Sequence, residues 1–170
     1  MDITKALHIA HLVSTLNKVE GRKRLQKIVH LLSFRFPEFQ HDFTLHYFGP
    51  FSRTLASEID YLAEDHIIDE RRSGETYVYS PTQTATGDCL RIDEIDPFDK
   101  APAWRQMAAS LDEKDTAFLE AASTIAYLQH AQRCPDDKLE TRFSRIKPNL
   151  AHKFQDARDY VASNVATNNE

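Results

Sequence analysis

The sequence predicts a mostly α protein with a small β-hairpin, and three observations support this fold class. An amphipathic segment at 22–36 carries apolar side chains at helical spacing. A short alternating segment at 43–48 is followed by a Gly-Pro pair and by a second amphipathic helix that starts at Ser52. Two β-rich stretches then surround a Ser-Gly turn at 73–74. This order is typical of a winged helix-turn-helix, and the remaining length predicts a C-terminal helical extension.

The first two helices are predicted from the spacing of their apolar residues. Residues 3–17 carry two adjoining apolar stripes, which indicates a helix that is covered on more than one side. The second helix has one apolar face formed by Leu25, Ile28, Val29, Leu32 and Phe36. Lys23, Gln26, Lys27 and His30 form the opposite stripe. Pro37 prevents this helix from continuing, because proline lacks the backbone donor and clashes with the preceding turn.

The next elements follow from alternation and from turn residues. Residues 43–48 alternate in a way that fits a short strand, and Gly49-Pro50 is expected to turn the chain. Ser52 can cap a helix whose buried face is Leu55, Ile59 and Leu62. Residues 67–71 and 76–80 are then predicted to form the hairpin, which would be the wing.

The chain is expected to divide into three parts. Residues 1–81 form the winged-helix module, residues 82–103 an acidic connector, and residues 104–165 a helical extension that packs on the module or on a second subunit.

The extension is predicted from caps and proline positions. Ser110 to Glu113 fits a capping box that opens an Ala-rich helix through about residue 131. Pro135 and Pro148 bracket another helix, and Asn149 is expected to cap the last one.

Composition and charge restrict the classes of protein that fit. The 170 residues are 41% hydrophobic and 28% charged, which is ordinary for a globular chain. No apolar run reaches the roughly 18 residues of a membrane span, and the N-terminus is a poor signal peptide. Cys89 and Cys134 are far apart and show no metal-ligand spacing, so we expect a cytoplasmic protein with free thiols.

The motifs around the second and third helices resemble those of a known family. Gly21, Arg22 and the Arg-Leu-Gln-Lys run at 24–27, followed by Tyr-Phe-Gly-Pro-Phe-Ser at 47–52, look like the YwgA-like family of predicted winged-helix transcriptional regulators. Lys147-Pro148 also fits that pattern. Leu-Gln-Lys followed by Tyr-x-Gly-Pro is more distantly similar to the SocA-like (Panacea) domain. The resemblance implies a winged helix and a regulatory role, and it brings no catalytic residues.

The favoured function is a regulator that binds duplex DNA, although the net charge of −5 weighs against nonspecific binding. The residues expected to contact phosphates are Arg22, Lys23, Lys27, Arg71 and Arg72. The residues expected to approach base edges are Ser52, Arg53, Thr54 and Ser57. By analogy with the fold, a homodimer through the C-terminal helices is possible.

One observation opposes direct DNA contact and leaves a second interpretation open. Asp60 and Glu64 share a helical face with Arg53 and Ser57, and acidic side chains are repelled by the phosphates that line a groove. The alternative is a protein-binding winged helix, an antitoxin or adaptor, that uses the acidic helix and the aromatic Tyr47, Phe48 and Tyr61 as a contact surface.

Catalytic chemistry is not indicated by any motif. The sequence has four glycines and no phosphate-binding loop, and it lacks nucleophile-elbow, zinc-protease and paired-carboxylate signatures. His8 and His11 have a spacing that can bind metal, but no nearby carboxylate or thiol joins them. We therefore expect no enzyme activity, no cofactor and no metal site.

Overall fold

The computed structural model describes residues 3–82 and 102–165. The α-helices there are α1 Ile3–Leu16, α2 Arg22–Leu32, α3 Arg53–Glu64, α4 Pro102–Asp112, α5 Thr116–Ala126, α6 Asp136–Ile146 and α7 Phe154–Asn164. The strands are β1 Val19–Glu20, β2 Thr44–His46, β3 Gly49–Phe51, β4 Ile68–Ser73 and β5 Thr76–Pro81. Short 3-10 segments occupy Pro37–Phe39 and Pro148–Lys153, and a π-helical turn over Tyr127–Ala131 extends α5. The prediction of a mostly α protein with a small β-hairpin is confirmed at this level, and the structure places the β-strands in two small antiparallel sheets.

The strands form two small antiparallel sheets. One has the order β1-β5-β4, so the two-residue strand β1 pairs with the hairpin that follows α3. The other is the hairpin of β2 and β3, in which Leu45 lies opposite Pro50. We call this second element the aromatic hairpin, because Tyr47 and Phe48 connect its strands.

The two halves of the described chain share one hydrophobic core. Helix α2 packs against α4 and α5, and α1 packs against α3 and α4. Trp104 of α4 is buried with its ring centroid 5.4 Å from that of Phe39. The helices after residue 101 therefore pack on the first half of the same chain.

Local details of the N-terminal half differ from the predictions. Helix α2 ends at Leu32, so Phe36 lies in the turn after the helix. Gly49 and Pro50 were expected to turn the chain, but both belong to β3, and the turn consists of Tyr47 and Phe48. The glycine is nevertheless needed, because its φ of 84° lies in a region that other residues rarely adopt.

The predicted caps of the extension are wrong. Helix α4 ends at Asp112, inside the expected capping box, and α5 starts after Asp115, whose carboxylate accepts a 2.7 Å hydrogen bond from the amide of Phe118. Asn149 lies within a 3-10 segment, and α7 begins at Phe154. These differences arise because several Ser, Asp and Asn residues could each cap a helix, and packing selects among them.

Several other predictions concern residues outside the described ranges. They are the free thiol of Cys89 and nearly all of the acidic connector. Within residues 3–82 and 102–165, no helix combines the length and the apolar character needed to cross a membrane.

Candidate functional site

The side chain of Gln26 binds the backbone of Ser52, which lies between the end of the aromatic hairpin and the start of helix α3. Its amide nitrogen donates a 2.9 Å hydrogen bond to the carbonyl of Ser52, and its amide oxygen accepts a 3.0 Å bond from the backbone N–H of Ser52. Both residues are buried. The Ser52 hydroxyl also accepts a hydrogen bond from the amide of Leu55 and so caps α3, as the sequence predicts.

Lys27 lies beneath the aromatic hairpin and does not reach solvent. Its side chain is only 2% exposed, and the ammonium group donates a hydrogen bond to the carbonyl of Pro50. Burial lowers the pKa of Lys27 to about 8, and the neighbouring Lys147 and Lys23 charges act in the same direction, whereas Glu120 opposes them. The polar stripe of α2 is therefore largely covered by protein, since three of its four residues, Gln26, Lys27 and His30, are buried.

Lys147 holds the turn of the aromatic hairpin from the other side. Its ammonium group donates to the carbonyl of Tyr47 and forms a 2.6 Å ion pair with Glu120. A Cβ at Gly49 would lie 3.0 Å from the hydroxyl of Thr124, so the hairpin approaches α5 too closely for a larger residue. Gln26, Lys27, Gly49 and Lys147 thus act together to position one hairpin.

The turn of this hairpin exposes two aromatic side chains. Tyr47 is 83% exposed and Phe48 is 45% exposed, and their rings meet edge to face with centroids 4.9 Å apart. The ammonium nitrogen of Lys23 lies 3.0 Å from the centroid of the Phe48 ring, which is a cation–π contact. We call Tyr47 and Phe48 the aromatic tip.

A cavity of about 310 Å³ opens beside the aromatic tip, between α2, β3 and α3. Its apolar wall is formed by Phe48, Phe51, Ala56 and Ile59. Its polar wall is formed by Arg22, Lys23, Gln26, Lys27, His46, Asp60 and Tyr79. The hydroxyl of Tyr79 is buried and interacts with the Glu70 carboxylate and the Arg22 guanidinium. Burial raises the pKa of Tyr79, so the hydroxyl keeps its proton.

The residues that were predicted to contact phosphates differ in burial and in ion pairing. The prediction for Lys27 is wrong, because a buried ammonium group cannot reach a DNA backbone. Arg22 lies over the Tyr77 ring and forms an ion pair with Glu70 at 2.8 Å and a longer one with Asp60 at 3.3 Å.

The other three of these residues are exposed. Lys23 contacts Phe48, Arg71 pairs with Asp69 at 2.5 Å, and Arg72 donates to the carbonyl of Gly74. The nearby Arg24, which was part of the same basic segment, binds the carboxylate of Asp112.

Of the four residues that were predicted to approach base edges, one is buried and three are exposed. The prediction for Ser52 is wrong, because its side chain is fully buried in the helix cap. Arg53, Thr54 and Ser57 are exposed on α3, and their role stays a prediction. Asp60 is exposed on the same helix.

Sequence reasoning did not find the role of Gln26, Glu120 or Lys147. The available signal was the set of motifs shared with the YwgA-like pattern, since Gln26 and Lys147 belong to it. Periodicity alone placed Gln26 on a polar stripe and could not show that a hairpin covers that stripe. No group of three or more His, Cys, Asp or Glu side chains in the described ranges is arranged to hold a metal ion.

Comparison with known proteins gives a distant relative. The chain is 26% identical over 152 residues to "Uncharacterized protein YwgA" of Bacillus subtilis (strain 168), and the match covers 85% of this chain and 86% of that protein. No protein-family model matches the chain. The similarity supports the resemblance to the YwgA-like family, and the name of the relative assigns no activity.

Proposed function

We propose that this chain is a non-enzymatic winged-helix protein that binds another protein through the aromatic tip. The winged-helix assignment is supported by the β1-β5-β4 sheet and by the hairpin that directly follows α3. The observation that carries the binding proposal is the exposure of Tyr47, at 83%, on a hairpin that buried side chains hold in place.

The aromatic tip has the character of an interaction surface. Tyrosine and phenylalanine bury a large apolar area and lose little conformational freedom on binding, so they are favoured at interfaces. Here Lys147 donates to the carbonyl of Tyr47, and Lys27 donates to that of Pro50. Burying two ammonium groups opposes folding, and both groups bind the hairpin that presents the tip. Such a fixed hairpin reduces the ordering cost when a partner binds.

The charges give less support to direct DNA binding than to protein binding. Arg22 is balanced by Glu70 and Asp60, and Lys27 is buried. The exposed face of α3 retains one arginine, Arg53, beside the acidic Asp60. Phosphate contacts need cations that are free to replace counterions. Because Arg71 is paired with Asp69, the predicted set is reduced to Lys23 and Arg72.

Quantitative affinity capture from the source cells tests this proposal. The bait is the full chain, and the variants are Tyr47→Ser with Phe48→Ser as the test and Ile3→Ser as the matched control. Ile3 is also an exposed large apolar residue, at 59%, but it lies at the start of α1. A protein partner should be captured by the native chain and by the control, and should be lost with the tip variant.

A parallel measurement uses fluorescence anisotropy of labelled duplex DNA from the protein's own upstream region, across a salt series. Charge reversal at Arg53, Arg71 and Arg72 avoids the buried Lys27 and leaves the aromatic tip unchanged. Salt-dependent binding that is lost with these reversals, and unaffected by the tip variant, would replace the protein-binding proposal with DNA regulation. Light scattering checks whether the chain dimerises through its C-terminal helices, which stays a prediction.

A further inference from the structure

The cavity beside the aromatic tip has a largely apolar interior. Phe48, Phe51, Ala56 and Ile59 form its apolar wall, and Ile59 is only 3% exposed. Phe48 belongs both to this wall and to the aromatic tip, so the tip and the cavity are parts of one continuous surface. The volume, about 310 Å³, lies at the lower end of the range for small-molecule sites and suits a single large apolar side chain.

The buried polar groups around the cavity already bind other groups of the protein. The amide of Gln26 and the ammonium group of Lys27 bind backbone atoms within residues 50–52. The buried hydroxyl of Tyr79 interacts with the carboxylate of Glu70. A polar ligand would have to displace these contacts, whereas an apolar group is stabilised when it leaves water. The interior of the cavity therefore favours an apolar occupant.

Lys23 adds an exposed positive charge at the edge of the same cavity. Its ammonium nitrogen lies 3.0 Å from the centroid of the Phe48 ring. In the part of the chain that the structure describes, no ion pair joins Lys23 to an acid, whereas Arg22 pairs with Glu70 and Asp60. An exposed cation beside an apolar cavity is complementary to a carboxylate that stands next to an apolar group.

We propose that the protein partner of the aromatic tip inserts one large apolar side chain into this cavity and places an adjacent carboxylate against Lys23. The inserted side chain packs against Phe51 and Ile59. The partner is therefore a protein segment in which a residue such as phenylalanine or leucine stands next to aspartate or glutamate. A large side chain in a desolvated pocket is the usual centre of an interface, and charges at the rim add specificity. This inference rests on the proposed protein-binding function and adds the chemistry of the partner.

A phage-displayed library of random linear peptides is the probe for this chemistry. Selection on the full native chain should enrich peptides in which a large apolar residue adjoins an acidic one. A selected peptide, made synthetically, should bind Lys23→Glu at least about tenfold more weakly than the native chain, because like charges would then meet. Arg72→Glu is the matched control, since it makes the same change of charge at an exposed residue of the β4–β5 hairpin outside the cavity. Failure to enrich any peptide, or equal affinity for Lys23→Glu and Arg72→Glu, would overturn the proposal.

A substitution at Ala56 separates the cavity from the aromatic tip. Ala56 is a partly buried residue of the wall, so Ala56→Phe should fill the cavity, abolish peptide binding and release the partner captured from cells. A partner that is lost with the tip variant and fully retained by a folded Ala56→Phe variant, verified by circular dichroism, would refute the cavity and leave protein binding intact.

Capture that survives both the tip variant and Ala56→Phe would refute the proposed function as well. Lys23→Glu keeps the test decisive if Ala56→Phe does not fold, because Lys23 is exposed and its replacement leaves the core unchanged. The captured partner should therefore bind Lys23→Glu more weakly than Arg72→Glu, as the selected peptide does.

Discussion

Replacing Gln26 with leucine tests whether the Gln-Lys motif is a structural clamp. The substitution keeps a similar volume in the core and removes both hydrogen bonds to the backbone of Ser52, at 2.9 and 3.0 Å. The Ser52 N–H would then be buried without a partner, at a cost of about 1–3 kcal/mol, whereas the Ser52 carbonyl would keep the 3.1 Å hydrogen bond that it accepts from the amide of Ala56. We therefore expect Gln26→Leu to lower the free energy of unfolding by about 1–3 kcal/mol.

Urea denaturation followed by circular dichroism measures this loss. Gln106→Leu is the matched control, because it makes the same chemical change at an exposed position of α4, and it should alter stability by less than about 0.5 kcal/mol. The dependence of the unfolding free energy on urea should be the same in all three proteins if unfolding remains two-state. A Gln26→Leu variant that is as stable as Gln106→Leu would refute the clamp.

Three further predictions concern neighbouring features. Gly49→Ala should destabilise the fold by about 1–3 kcal/mol in the same denaturation assay, because its φ is 84° and a Cβ would crowd Thr124. Stability should rise from about pH 8 toward pH 10, because folded Lys27 releases its proton near pH 8 while an unfolded lysine keeps it to about 10.5; Lys27→Met should remove this rise in thermal melts at graded pH. Asp115→Ala should cost about 1 kcal/mol by removing the cap of α5, whereas Lys153→Ala, which breaks only the exposed ion pair with Asp115, should cost less.

The sequence predicted the elements whose apolar spacing is regular. Helix α3, its Ser52 cap and the β4–β5 hairpin are confirmed within a few residues, because alternation and helical periodicity depend on local positions alone. The end of α2 was placed too late, since Phe36 continues the apolar pattern although the helix stops at Leu32.

The candidate site could not be predicted from alternation or helical periodicity. Lys27 was assigned to a surface because lysine is rarely buried, and its burial depends on a hairpin that starts some 17 residues later in the chain. Glu120 and Lys147 meet that hairpin only through the packing of α5 and the segment after α6. Such contacts arise from tertiary structure, and only the shared motifs indicated that these residues act together.

Site-specific photocrosslinking from the aromatic tip identifies what this surface binds in the cell. A photoreactive phenylalanine analogue replaces Tyr47 in one strain and Ser57, on the exposed face of α3, in another. If the aromatic tip binds a protein, light should produce a protease-sensitive and nuclease-resistant adduct from position 47 and little from position 57. A nuclease-sensitive adduct that forms from position 57 and not from position 47 would contradict the account and would identify α3 as a nucleic-acid-binding helix.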